Sequence, residues 1–317
     1  MRESGPISGT ADDGPQDAGR RRYTLFGEDR ACPPLAPGLY IVATPIGHLS
    51  DISVRALETL AAADLIACED TRVTRKLLNR YAITRPLVSY HEHNAALMRP
   101  RLLDELQGGR AVALVSDAGT PLISDPGYRL VREAQAAGYR VTTIPGPSAV
   151  LAALAVAGLP TDRFFFEGFL PAREAARRSR IAELVAIPST LVLFETGPRV
   201  AAALGDLAAG LGAREATICR ELTKLHEEVR RGDLAGLARD YAQGGETRGE
   251  FVIVVAPPQD EAGPVAADRI DALLRGALAT ASLKDAVEAV SVATGQPRRL
   301  VYQRALALAK DSRDDRA

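Results

Sequence analysis

The sequence predicts an α/β protein built on a parallel sheet, and three observations carry that prediction. Short, nearly continuous apolar runs recur along the chain, as strands buried on both faces require. Segments of helical periodicity separate them. Gly, Pro, Ser and Asp gather where several of the runs stop, which marks the connecting loops.

Residues 1–36 are rich in Gly, Pro, Asp and Arg and are expected to be a disordered tail. Order is expected to begin with the run at 38–44. Further strands are predicted at 64–69, 86–91, 111–117 and 140–145. A helix after Asp51 carries Ile52, Ala56, Leu57, Leu60 and Ala61 on one face. Pro100 kinks the helix of 94–107 or delays its start. Asp125 and Pro126 read as the N-cap and first residue of a helix ending near Gly138. These elements make a first α/β domain, 37–160. Leu159–Pro160–Thr161–Asp162 reads as a joint. Strands at 163–169, 190–196, 215–222 and 249–256, with helices between them, make a second α/β domain, 161–258. Residues 264–310 read as three short helices, broken near 280–282 and 295–297, in a helix-turn-helix-like appendix.

Composition narrows the function classes. The chain has 317 residues, 46% hydrophobic and 25% charged, the balance of a globular protein. A net charge of -1 gives no global attraction to nucleic acid, so any such site must be a local basic patch. Trp is absent, which disfavours a base-stacking surface as the main device. Cys32, Cys68 and Cys219 are widely spaced and form no C-x-x-C pair, which fits a reduced, cytoplasmic setting. The N-terminal stretch lacks the apolar core of a signal peptide, and no run approaches the ~18 apolar residues of a membrane span.

In open α/β sheets ligands bind beyond the carboxyl ends of strands. Five first-domain loops meet that description: A-T-P-I-G-H-L-S-D (43–51), C-E-D-T-R (68–72), Y-H-E-H-N (90–94), S-D-A-G-T-P (116–121) and I-P-G-P-S-A (144–149). Any one of them passes for a tight turn. Five on one rim make a functional edge. The loop at 43–47 lacks the second glycine of a dinucleotide fingerprint, and no Walker A loop occurs, so pyrophosphate is not the expected ligand. His91 and His93 lack a third ligand, so no metal is expected.

Two basic stripes stand out. Arg72, Arg75, Lys76 and Arg80 share one face of a predicted helix, with Val73, Leu77 and Tyr81 turned to the core. Arg173, Arg177 and Arg180 repeat at helical spacing. On a chain of nearly zero net charge, two such stripes point to phosphate contact. R-E-L-T-K-L-H-E-E (220–228) adds a dense mixture of acids and bases at a strand end.

These motifs, together with L-Y-I-V-A-T-P-I-G-H-L, V-A-L-V-S-D-A-G-T-P-L-I-S-D-P-G, G-F-L-P and G-E-F-V-I-V-V, closely resemble the ribosomal RNA small subunit methyltransferase I family, a branch of the tetrapyrrole methylase fold. The resemblance runs from about residue 38 to 257 and continues more weakly into the helical tail. It implies two α/β domains of the tetrapyrrole methylase type, with S-adenosylmethionine in the cleft between them. It implies 2′-O-methylation of a cytidine in the decoding centre of 16S rRNA, with the rRNA or the small ribosomal subunit as partner, and a homodimer. The cofactor contacts it implies are Pro45, Asp117, Gly119, Thr120, Pro121, Ser148, Phe194 and Glu250. The chain departs from the family pattern at His48, where Asn is usual, and at Pro198, where His is usual.

Removing the proton of a ribose hydroxyl calls for a general base. Candidate catalytic residues are Glu69, Asp70, His91, Lys224 and Glu227, with His93 and His226 beside them. Glu69 and Asp70 next to Arg72 have the strongest local case, although the same pair would serve to cap the helix starting at Thr71. Rival readings are a methyltransferase of the same fold acting on a tetrapyrrole, and a non-catalytic RNA-binding assembly protein.

Overall fold

The structure is a computed structural model, which describes residues 21–258, 267–294, 296 and 298–314. It divides into two compact units, Met1–Pro257 and Pro258–Ala317. The expected joint at 159–162 therefore lies inside the first unit, between its two sheets.

The first sheet is wholly parallel, in the order β5-β4-β6-β3-β7. Its strands are β3 (Gly38–Val42), β4 (Leu65–Cys68), β5 (Leu87–Ser89), β6 (Ala111–Val115) and β7 (Val141–Ile144). Alternation in the strands feeds two cores. Tyr40, Val42, Ile66, Cys68, Ala113 and Val115 face α1 (Val54–Ala62) and α2 (Thr71–Arg80). Leu39, Ile41, Leu65, Ala67, Val112 and Leu114 face α3 (Ala95–Gln107) and α4 (Tyr128–Ala136). Burial on both faces is why these strands read as unbroken apolar runs. Pro100 sits inside α3, which runs through it.

The tail expectation fails for residues 21–36. Arg22–Leu25 (β1) and Glu28–Ala31 (β2) form an antiparallel hairpin. Tyr23 and Cys32 are buried in the α1–α2 core, and Arg21 donates to Asp64 at 2.8 Å and to the Ala62 carbonyl at 2.9 Å. Two four-residue strands, one of them wholly exposed, leave no apolar pattern to read. Residues 1–20 lie outside the described residues.

The second sheet is mixed, in the order β11-β10-β12-β9-β8. Only β8 (Phe164–Phe169) and β9 (Thr190–Thr196) pair in parallel; β10 (Glu215–Arg220), β11 (Glu228–Asp233) and β12 (Glu250–Val255) join antiparallel. β11 escaped prediction because E-V-R-R-G-D has no apolar run. It is an edge strand, where charge is tolerated and discourages further pairing. One face of this sheet packs on α6 (Glu174–Leu184), α7 (Gly197–Leu211) and α8 (Leu234–Ala242). The other packs on α5 (Ala149–Ala157) through Val150, Ala153 and Leu154 against Val192, Val252 and Val254. The helix that follows the last strand of the first sheet thus supplies core to the second, and the two halves share it.

The second unit contains α9 (Ala267–Leu278), α10 (Leu283–Thr294) and α11 (Arg298–Asp314), as the sequence predicts. Ile270, Leu274, Val287, Val290, Val301 and Ala305 form its own core.

Candidate functional site

Strand order fixes where a ligand can sit. From β3 the chain crosses to β4 on one side, and from β6 it crosses back past β3 to β7. The carboxyl ends of β3 and β6 therefore bound the switch-point crevice. The loops leaving them are clasped there: Thr44 N–H donates to the Gly119 carbonyl at 2.8 Å, and Gly119 N–H returns to Thr44 at 3.0 Å.

A cavity of about 310 Å³ opens at this clasp, between the two sheets of the first unit. Ile46 comes from the β3 loop, Asp117 to Thr120 and Ile123 to Asp125 from the β6 loop, and Ser148 to Val150 from the start of α5. The second half contributes Phe169, Phe194, Glu195 and Thr196, then Cys219, Leu222 and Lys224, then Glu250 to Val252. The rings of Phe169 and Phe194 meet edge to face at 5.7 Å. The β6 loop is held in costly backbone: Leu122 (φ 76°) and Ser124 (φ 61°) are left-handed without being glycine.

Burial dominates the carboxylates here. It pushes Asp125 up to about 6, with the nearby Glu69 and Asp117 charges adding to the shift and a Ser116 hydrogen bond opposing it. Burial also raises Asp117, whose carboxylate accepts the Asp70 N–H at 2.9 Å. Glu69 is raised by burial and then by Asp117. Asp70 is held at about 2 by side-chain and backbone hydrogen bonds from Arg72. Burial works to lower Lys224, but its hydrogen bonds to Glu221 (2.8 Å) and Glu250 (2.6 Å) prevail and keep it charged. Of the catalytic candidates, Lys224 is the one that lines the cavity. Cys219 is pushed up to about 11 by burial.

Of the predicted cofactor contacts, Asp117, Gly119, Thr120, Ser148, Phe194 and Glu250 line the cavity. Pro45 and Pro121 flank it without lining it. Glu69 and Asp70 stand behind the wall, reached through Asp117. Asp70 both caps α2, accepting from Arg72 N–H at 2.8 Å, and pairs with the Arg72 guanidinium. His91 lies beyond the end of β5; its Nδ1 is buried without a hydrogen-bond partner, and the His93 ring is 5.9 Å away. Glu227 accepts the Thr223 N–H at 2.6 Å and so braces the 221–227 turn. Among the described residues no group of three His, Cys, Asp or Glu side chains is placed to hold a metal. His48 accepts the Ser50 N–H, the capping role an Asn would fill, and Pro198 sits in the first turn of α7.

Asp125 is the main residue that sequence reading misassigned. It does not cap α4, whose N-cap is Gly127 (φ 137°) with no side-chain cap bond. The signal was the second Ser-Asp pair after β6, S-D-A-G followed by S-D-P-G. Phe169, in the G-F-L-P motif at the end of β8, and Glu195, near the end of β9, were not singled out as lining residues.

The basic stripes divide. Arg75, Lys76 and Arg80 are exposed on α2 and make no ion pair among the described residues. Thr71, Arg72, Arg75, Lys76 and Asn79 line a shallow hollow on that helix. Val73, expected in the core, is exposed, because Thr74, Leu77 and Leu78 take the inner face. The α6 stripe is corrected. Arg177 is only 7% exposed and grips Asp206 at 2.6 Å, while Arg180 pairs with Glu167 and Glu183. Only Arg173 of that set remains without an ion pair among the described residues.

A sequence profile of the tetrapyrrole (corrin/porphyrin) methylases matches residues 38–238, and one of the RsmI C-terminal HTH domain matches 264–309. A protein of Mesorhizobium japonicum named ribosomal RNA small subunit methyltransferase I is 52% identical over 276 residues, covering 87% of this chain and 93% of that one. A protein of the same name from Xylella fastidiosa is 49% identical over 271 residues, covering 84% and 98%. Among solved structures, diphthine synthase aligns with a TM-score of 0.55 at 20% identity, covering 69% of this chain and 89% of that one. The cobalt precorrin-4 methyltransferase CbiF aligns at 0.52 and 19% identity, covering 69% and 94%, and these two share the fold. The chain belongs to the ribosomal RNA small subunit methyltransferase I family of the tetrapyrrole methylases.

Proposed function

We propose that this chain transfers the methyl group of S-adenosylmethionine to the ribose 2′-oxygen of a cytidine in the decoding centre of 16S rRNA. On this reading it works in the cytoplasm, as a homodimer, on rRNA within the small ribosomal subunit. One observation carries it: the carboxylate-lined cavity at the switch point is linked through the Asp117–Asp70 hydrogen bond to α2, whose Arg75, Lys76 and Arg80 make no ion pair among the described residues.

The residues present fit that donor. Phe169, Phe194 and Ile46 offer apolar and aromatic surface for a nucleoside. Asp117 and Asp125 offer carboxylates for cationic groups, while the Glu195 carboxylate is taken by Arg199 at 3.2 Å. Gly119, at φ 79°, lets loop backbone approach without a side chain. When bound, S-adenosylmethionine supplies an electrophilic methyl on a sulfonium. The chain's own work is then positioning and proton removal. Asp125 lines the cavity, burial pushes its carboxyl up to about 6, and it takes the hydroxyl proton. Asp70, ionised and paired, keeps Arg72 oriented at the mouth of the basic face.

The test uses purified small subunits from cells lacking the modification and S-adenosylmethionine carrying a tritiated methyl. Label is expected in 16S rRNA as 2′-O-methylcytidine after digestion to nucleosides. Label on a base, or none, would overturn the reading. Turnover at saturating donor should fall about 10²-fold in Asp125→Asn, the scale of lost general-base catalysis.

A further inference from the structure

The β1–β2 hairpin ends in a residue that the fold does not use. Phe26 is 94% exposed. It occupies the first central position of the turn at φ 54°, followed by Gly27 at φ 83°. Positive φ at both positions is the type I′ pattern, where Asn or Asp is usual ahead of Gly. A bulky residue there is an outlier, and it carries both a backbone cost and an exposed ring. Its neighbour Leu25 packs on the core; the Phe26 ring does not.

The hairpin's position gives that ring a context. Thr24 N–H donates to the Tyr81 carbonyl at 2.8 Å, so the hairpin docks at the carboxyl end of α2. Phe26 lies two residues on, within about 7 Å of chain from Thr24. Tyr81 follows Arg80 directly. From there the open basic residues Arg80, Lys76 and Arg75 run back along α2, a helix about 15 Å long. The other end of α2 begins at Asp70, whose N–H is bonded to Asp117 in the cavity wall. The hairpin's own acids are engaged: Glu28 pairs with Arg30 at 3.3 Å, and Asp29 accepts from Thr24 at 2.6 Å. One track therefore leads from the cavity, past three cations that make no ion pair among the described residues, Arg80 lying over the Tyr81 ring at 5.8 Å, to an exposed aromatic ring.

We propose that Phe26 is a second RNA contact, stacking on an unpaired base of a strand whose phosphates lie along α2. The proposal rests on the reading of this chain as an rRNA methyltransferase. It adds a sequence-tolerant anchor of the kind aromatic side chains give to single-stranded nucleic acid. The strand is single because a paired base has no free face for a protruding side chain.

The discriminating substitution is Phe26→Asn. Asn is at home in left-handed backbone, so the hairpin is expected to be as stable as before or more so. Binding of the full-length protein to unmodified small subunits, read by co-sedimentation, is expected to weaken about tenfold. KM for the subunit should rise with it, while kcat at saturating subunit stays unchanged. Phe26→Trp should behave as wild type. Phe26→Gly, which also accepts positive φ, should repeat the Asn result. Wild-type binding and KM in both Phe26→Asn and Phe26→Gly would overturn the proposal. So would a loss of kcat in either with KM unchanged. A wild-type protein that transfers no methyl group sinks the functional reading instead, and the binding comparison still decides the role of Phe26.

Discussion

Asp125 has a proton affinity set by burial rather than by its place in the sequence. The folded chain keeps the carboxyl protonated up to about pH 6, while the unfolded chain releases the proton near the ordinary value of about 4. Between those limits the folded state binds more protons, so stability falls as pH rises from about 4 to about 6 and then levels. Asp125→Asn should flatten that fall. It should leave stability unchanged near pH 4 and raise it by on the order of 1–2 kcal/mol at pH 7, after allowing for solvent screening. Denaturant titrations at pH 4, 5 and 7 measure this, and an unaltered slope would assign the effect to another group. The residue scale is also where sequence reading was weakest. The Asp-Pro pair at 125–126 is a sound helix-start signal, and here the left-handed residues Leu122 and Ser124 redirect it. No propensity rule reports such a redirection, because a leucine and a serine carry no intrinsic preference for left-handed backbone.

Among elements, α2 and α6 carry similar basic stripes with opposite fates. The α2 stripe faces outward because Thr74, Leu77 and Leu78 already fill its inner side. On α6, Arg177 turns inward because α7 brings Asp206 beneath it, with Arg178 closing on the other carboxylate oxygen at 2.8 Å. Burial works to raise Asp206, but hydrogen bonds from Arg178 and Arg177 prevail and hold it below its ordinary value. Losing Arg177 leaves Asp206 with Arg178 alone, so one buried carboxylate oxygen loses its charged donor. Arg177→Gln is expected to cost about 1–3 kcal/mol in chemical denaturation. Spacing revealed both stripes; only the partner helix decides which one meets solvent. The same holds for strands. The buried ones were legible as apolar runs, while β1, β2 and β11, held at edges by backbone pairing, were not.

At the scale of the whole molecule, near-zero net charge means that attraction to RNA must come from a few unneutralised cations. The slope of log affinity for small subunits against log salt should therefore fall by about one for each of Lys76→Gln and Arg80→Gln. Arg180→Gln should leave it unchanged, since that side chain is already spent on Glu167 and Glu183. Equal effects from α2 and α6 would mean that the phosphate track runs elsewhere. The overall plan was readable from sequence because alternation and loop chemistry are local. The sharing of α5 between the two sheets was not, because which sheet a helix covers is settled by tertiary packing.

Cys219 adds a consequence in chemical self-protection. A thiolate is a strong nucleophile, and this sulfur lines the same cavity as the carboxylates suited to a methyl sulfonium. Burial pushes the thiol up to about 11, which leaves roughly one molecule in ten thousand ionised at neutral pH. On the proposed reading, the apolar wall that would receive a nucleoside would thus also keep the protein's own sulfur from competing for the methyl group.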